Sequence, residues 1–346
     1  MATSTTSGGN RVRGLDGSRA LAVGLVVAAH ATSHLDGGGV GVCVFFVLSG
    51  YLITGLLTKE SLQTGSIHLL MFYARRALRL WPALLVMLAV TILLGAPASS
   101  ALIAGTYTTD LFNSFGHGAH PYDHTWSLAV EEQFYLLWPL LLPLALRAPR
   151  RAALALTAGV VASVLGCWVW TLHSLHSSDA IGLGVFNPLW QAHGLLIGCI
   201  LALVGDRFRF ARPGAVAVIG GLVVVASAVG ASQTVSHHWA VWWNLMVELD
   251  TMAVIIALRE LSTGPFTWGP VVWMGQRSYA IYLWHLPLIR LAHEHNLPHA
   301  AALAVACAFA AAELSFRVVE APFLRLKERL HPTAAGPPVD AVPPTK

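Results

Sequence analysis

Ten apolar stretches, each close to the length that crosses a bilayer as a helix, constrain the fold of this chain more than any other feature. Their cores fall near 16–35, 39–58, 80–97, 127–146, 152–172, 188–204, 213–232, 240–258, 271–292 and 299–319. A helix needs roughly 20 apolar residues to cross about 30 Å of hydrocarbon. Inside lipid every backbone N–H and C=O must be satisfied within the protein, so runs of this length fold as helices. Composition agrees: 55% of residues are hydrophobic and 11% charged, with a mean hydropathy of +0.63, where a soluble domain carries roughly 25% charged residues. The expected fold is an all-α polytopic membrane protein with about ten transmembrane helices. One membrane domain is expected over 11–330, between a Ser/Thr/Gly-rich tail at 1–10 and a Pro/Ala-rich tail at 331–346, both expected to be disordered.

Charge sets the direction of the spans. Arg11 and Arg13, Lys59 with Arg75, Arg76 and Arg79, Arg147 with Arg150 and Arg151, Arg207 with Arg209 and Arg212, Arg259 and Arg277, and Arg325 with Lys327 and Arg329 fall in the termini and alternate loops. The positive-inside bias makes those segments cytoplasmic, with both termini on that side, in a multi-pass protein of the inner or plasma membrane. A cleaved signal peptide is the competing reading of the N-terminus, because Arg11 and Arg13 precede an apolar run and Ala29-His30-Ala31 resembles a cleavage site. Cleavage would remove the first span and with it the parity that fits the charges.

Two ionisable side chains stand inside the first span. Arg19 and His30 are eleven residues apart, which places them on nearly one face of a helix and roughly 16 Å apart along its axis. Ionisable groups within a span are costly, so such a pair reads as a functional path, with the cation near the cytoplasmic mouth and the titratable ring toward the outer leaflet. His34, four residues beyond His30, shares that face and also fits half of a metal site. Only Asp36 in the following loop is near it in sequence, and no metal is expected. Cys43, Cys167, Cys199 and Cys307 fall within spans with no zinc-like spacing, so no disulfide is expected either.

Five motifs, in order, carry a resemblance. The stretch from Arg19 to His30 with Gly41-Val42-Cys43-Val44-Phe45-Phe46-Val47-Leu48-Ser49-Gly50-Tyr51 resembles the opening of the membrane-bound acyltransferase 3 family. Phe72-Tyr73-Ala74-Arg75-Arg76-Ala77-Leu78-Arg79-Leu80-Trp81-Pro82 is similar to its arginine-rich segment. Trp126-Ser127-Leu128 with Glu131 and Gln133-Phe134-Tyr135 resembles its fourth-span signature. Ser278-Tyr279 with Tyr282-Leu283-Trp284-His285-Leu286-Pro287-Leu288 resembles its late span, and Glu320-Ala321-Pro322 its close, with Ala321 where the family usually has a basic residue.

The resemblance implies an O-acyltransferase that moves an acyl group, acetyl above all, from cytoplasmic acyl-CoA to a hydroxyl of a sugar-containing acceptor. A cell-surface glycan, a lipid-linked sugar or a glycosylated metabolite such as a macrolide would qualify. It also implies that Arg19 and His30 are the family's required pair. A guanidinium at one end can pair with phosphate, and a neutral imidazole at the other can act as general base toward an acceptor hydroxyl. Direct transfer and a covalent acyl-histidine both remain open. Arg75, Arg76 and Arg79, read as a cytoplasmic segment before the third span, fit either CoA phosphates or anionic lipid headgroups. Glu131 fits an orienting role toward His30, acceptor binding, or a helix-start role. Trp126, Ser127, Tyr282 and His285 are candidates for the wall of the site. Some family members carry an esterase-like domain after the spans, whereas this chain reads as a standalone transferase.

Outside those motifs, Glu313 and Arg317 have the spacing of a structural helical pair. Glu248 and Asp250 fit either a cavity or pairing with an arginine. The competing class is a membrane transporter or flippase for a glycan or acylated metabolite. Transporters of this size often show repeated halves with broken helices, and no convincing repeat is legible.

Overall fold

The computed structural model describes residues 12–32, 38–173, 186–234, 237–295 and 299–328. The expected tails at 1–10 and 331–346 lie outside the described residues, as do His34 and Asp36. Every regular element among the described residues is helical. In chain order they are α1 (Arg13–Ala31), α2 (Gly38–Thr64), α3 (Leu69–Leu93), α4 (Ala98–Gly105), α5 (Thr109–Ser114), α6 (Trp126–Arg147) and α7 (Pro149–His173). Then follow α8 (Pro188–Val204), α9 (Pro213–Thr234), α10 (His237–Leu258), α11 (Gly269–Gln276), α12 (Ser278–Glu294), α13 (Ala300–Ser315) and α14 (Ala321–Glu328). A π-helical turn, Phe316–Glu320, joins the last two.

Among the described residues six stretches are long and apolar enough to cross a membrane: Gly38–Thr64, Leu69–Leu93, Pro149–Leu172, Pro213–Gly230, Val241–Leu258 and Ala301–Lys327. α1, α6, α8 and α12 lie at the other four expected spans. α8 and α12 are shorter at 17 residues each. α1 carries Arg13, Asp16 and Arg19, and α6 carries Glu131 and Glu132.

Two expectations about boundaries are corrected. The third span was expected to begin near 80, after a cytoplasmic arginine segment. Instead α3 begins at Leu69, so Arg75, Arg76 and Arg79 are helical and lie within it. The helix takes in these charges because Glu60 and Glu132 neutralise two of them. The ninth span, expected as one run over 271–292, is divided between α11 and α12 at Arg277. Arg277 pairs with Glu313 of α13 and packs over the Trp273 and Phe316 rings. Glu313 also takes Arg317 in the expected (i, i+4) pair.

Close backbone approach sets the centre of the bundle. A Cβ on Gly50 of α2 would lie 2.0 Å from the Leu195 carbonyl oxygen, and one on Gly198 of α8 would lie 2.2 Å from that of Val47. Glycine at both positions lets α2 and α8 touch backbone to backbone, the small-residue crossing used by membrane helices. Pro139 and Pro82 are internal to α6 and α3, and a side chain from a neighbouring helix hydrogen-bonds to a carbonyl close to each. Tyr73 donates to the Leu136 carbonyl (2.8 Å) ahead of Pro139, and Tyr279 to the Leu80 carbonyl (2.8 Å) ahead of Pro82. Of the four free cysteines, Cys43, Cys167 and Cys199 are buried and Cys307 is exposed.

Candidate active site

Three helices present side chains at two levels. On α1 these are Arg19 and His30, roughly 16 Å apart. On α2 they are Phe45 and Ser49, and on α6 Ser127 and Glu131, each pair four residues apart and therefore on one helix face.

At the level of His30 is a ring of imidazoles and hydroxyls. His30 lies next to His285 of α12, their rings 5.1 Å apart, and His285 lies 5.0 Å from the ring of His124. Tyr282 donates to the His124 carbonyl (2.6 Å) and shares a hydrogen bond with Ser127 (2.7 Å). Phe45 meets the Tyr282 ring edge-on, and Trp126 packs against Phe46 and Phe186. His285 is fully buried and His124 nearly so, while His30 is exposed. His124 belongs to the short turn Asp123–Thr125 before α6, where burial first, and then the neighbouring His285, His30 and Arg290, hold its pKa well below the ordinary histidine range. It is therefore neutral at pH 7. Asp123 anchors that turn by pairing with Arg290 of α12 and accepting from the Ala119 amide (2.5 Å).

At the level of Arg19 is a charged cluster. Ser49 donates to Glu131 (3.0 Å). Arg76 makes a two-pronged pair with Glu132 (2.6 and 3.0 Å), and its guanidinium stacks 3.4 Å from the Tyr135 ring centre. The charges of Arg76, Glu132 and Arg19 all act on Glu131. Arg75 is buried against Glu60 (2.6 Å). Arg79 lies apart, where its charge and that of Arg277 act on Glu320.

The structure thus brings Trp126, Ser127, Tyr282, His285 and His30 to one level, and Arg19, Arg76 and Glu131 to the other. Arg75 and Arg79 stand outside the second group. Glu132, which belongs to none of the five motifs, is the partner of Arg76. His124, in the turn before α6, also lies outside the five motifs. Glu248 pairs with His193 of α8 (2.6 Å) in the core and not with an arginine. Among the described residues no group of three or more His, Cys, Asp and Glu is arranged to hold a metal.

Comparison with known proteins bears out the family resemblance over a range that holds the first four motifs. The Acyltransferase domain family pattern matches residues 12–314. Peptidoglycan O-acetyltransferase OatA of Listeria monocytogenes serovar 1/2a is 33% identical, over 90% of this chain and 55% of the relative. O-acetyltransferase OatA of Staphylococcus aureus (strain NCTC 8325 / PS 47) is 29% identical, over 89% and 56%. A putative O-acetyltransferase of Staphylococcus aureus (strain COL), SACOL0978, is 30% identical, over 90% and 57%. The chain spans about half the length of the curated relatives it matches. No solved structure matches it. With the family pattern covering most of its length, the chain belongs to the acyltransferase 3 family.

Proposed function

We propose that this protein is a multi-pass membrane O-acetyltransferase that carries acetyl from cytoplasmic acetyl-CoA to a hydroxyl of a sugar-containing acceptor, with His30 as general base. The observation that carries the reading is the two-level arrangement, a cationic and acidic cluster joined by α1, α2 and α6 to a histidine ring roughly 16 Å away. An extended pantetheine arm matches that length. In this reading all ten long helices cross the bilayer, the termini are cytoplasmic, and the histidine level faces the outer leaflet.

In the transfer step the acceptor oxygen attacks the thioester carbonyl while His30 takes its proton. The carbon–sulfur bond then breaks and the departing thiolate receives that proton, leaving an acetyl ester and free CoA. Base catalysis of this kind contributes about 10²–10⁴-fold. Arg19, Arg75, Arg76 and Arg79 supply the cations for the CoA phosphates, a role a guanidinium fills by bidentate contacts. The pairing of Arg75 and Arg76 with Glu60 and Glu132 also holds the inner end of α3. Glu131, held by Ser49, stands with Arg19 and Arg76 at the far level from His30, so its part is to order the charges at that end and not to orient His30. Because the relatives are named for peptidoglycan O-acetylation, a cell-wall glycan is the first acceptor to try.

The test is transfer of label from acetyl-CoA in proteoliposomes offered peptidoglycan fragments, lipid-linked sugar or a glycosylated macrolide. The expected result is label on one acceptor class with wild type and almost none with His30→Ala. Transfer by neither protein to any acceptor, together with movement of glycan across the bilayer, would favour a flippase.

A further inference from the structure

Two imidazoles in contact need an agreed direction for the proton between them, and the backbone around them supplies it. His285 Nδ1 lies 2.7 Å from the Tyr282 carbonyl oxygen. A carbonyl only accepts, so this nitrogen carries the hydrogen. The residue is fully buried, and a buried imidazolium is costly, so His285 is neutral and its Nε2 holds a lone pair. That Nε2 lies 3.3 Å from His30 Nδ1. His30 Nδ1 also faces the Val26 carbonyl at 2.9 Å. With two acceptors before it, His30 Nδ1 carries its hydrogen, and the ring's lone pair is on Nε2.

We propose that His285 is a positioning residue for His30: its Nε2 accepts the His30 Nδ1–H, fixes the tautomer in which His30 Nε2 is basic, and keeps that hydrogen bond while His30 is an imidazolium. The inference rests on the reading of His30 as the base. Its logic is that of the acid that orients the histidine of a serine-protease triad, with a neutral ring in place of the carboxylate. A neutral partner suits this pocket. The groups facing the pair are the ring of His124 and the guanidinium of Arg290, itself answered by Asp123.

Replacing His285 by leucine keeps the apolar packing and removes the acceptor. Partners that orient a functional histidine are worth about 10–100-fold when lost, so kcat for acetyl transfer should fall by that factor while KM for acetyl-CoA holds. His285→Gln returns an acceptor oxygen and should recover most of kcat. Wild-type kcat in His285→Leu, or no recovery in His285→Gln, would overturn the proposal. A measurement on the unsubstituted protein guards against misfolding. The ¹⁵N resonances of His30, assigned by their absence in His30→Ala, should show Nδ1 protonated and Nε2 bare, and the reverse pattern overturns the proposal. Full activity of His30→Ala would instead remove the base assignment itself. An inactive His30→Ala beside a fully active His285→Leu would remove the role of His285 alone.

Discussion

Replacing His193 or Glu248 tests how the helices behind the site are held together. His193 Nδ1 lies 2.6 and 2.8 Å from the two Glu248 oxygens, and the side chains are 1% and 0% exposed. Removing one partner of a buried pair costs about 3–5 kcal/mol, whereas hydrogen bonds between membrane helices average about 0.6 kcal/mol and reach about 1.7. Full burial and contact with both carboxylate oxygens place this pair toward the upper bound, at about 2–5 kcal/mol for a single leucine substitution. That is roughly a 30- to 4,000-fold change in the unfolding equilibrium, at about 1.4 kcal/mol per factor of ten. The two singles should differ. His193→Leu strands a carboxyl group, with two oxygens, beside the Cys43 thiol as a weak donor, while Glu248→Leu strands one ring nitrogen of an imidazole. His193→Leu should therefore be the worse. The double leucine variant should recover most of the loss, since apolar replacement of both partners leaves nothing unsatisfied. The assay is denaturant unfolding of detergent-solubilised protein followed by tryptophan fluorescence. Singles within about 0.5 kcal/mol of wild type, or a double variant no better than His193→Leu, would refute the reasoning.

Gly50→Val should prevent the contact of α2 with α8, because its Cβ would enter the Leu195 carbonyl oxygen at 2.0 Å. Overpacking typically costs about 1–3 kcal/mol, and rigid backbone on the far side puts this case at or above the top of that range. A lowered unfolding midpoint is the readout. Tyr282→Phe removes the hydroxyl between Ser127 and the His124 carbonyl, leaving buried polar groups at about 1–3 kcal/mol. Its midpoint should fall and its acetyl transfer slow, and an unchanged protein would show that the bridge positions nothing.

Apolar length made the helices legible. α8 begins at the expected residue because Pro188 suits a first helical position and Asn187 caps it, accepting from the Leu189 amide (2.9 Å). The start of α3 was hidden because three arginines read as a loop until Glu60 and Glu132, 15 and 56 residues from their partners, are seen to neutralise two of them. The break at Arg277 depends in the same way on Glu313, 36 residues on. Within the site, Arg19 and His30 were readable because one helix carries both. His124 meets Tyr282 across 158 residues, and His285 meets His30 across 255. No local spacing reveals such contacts. Motif resemblance supplied Tyr282 and His285 as candidates, but only coordinates give the direction of the proton between the two rings.

The most direct test of the central claim is acetyl transfer by His30→Gly with and without added imidazole. A general base contributes about 10²–10⁴-fold. The account predicts a loss of that order in kcat, with acetyl-CoA still bound, and partial recovery as imidazole fills the space left by the ring. A His30→Gly enzyme that transfers acetyl at the wild-type rate would contradict it.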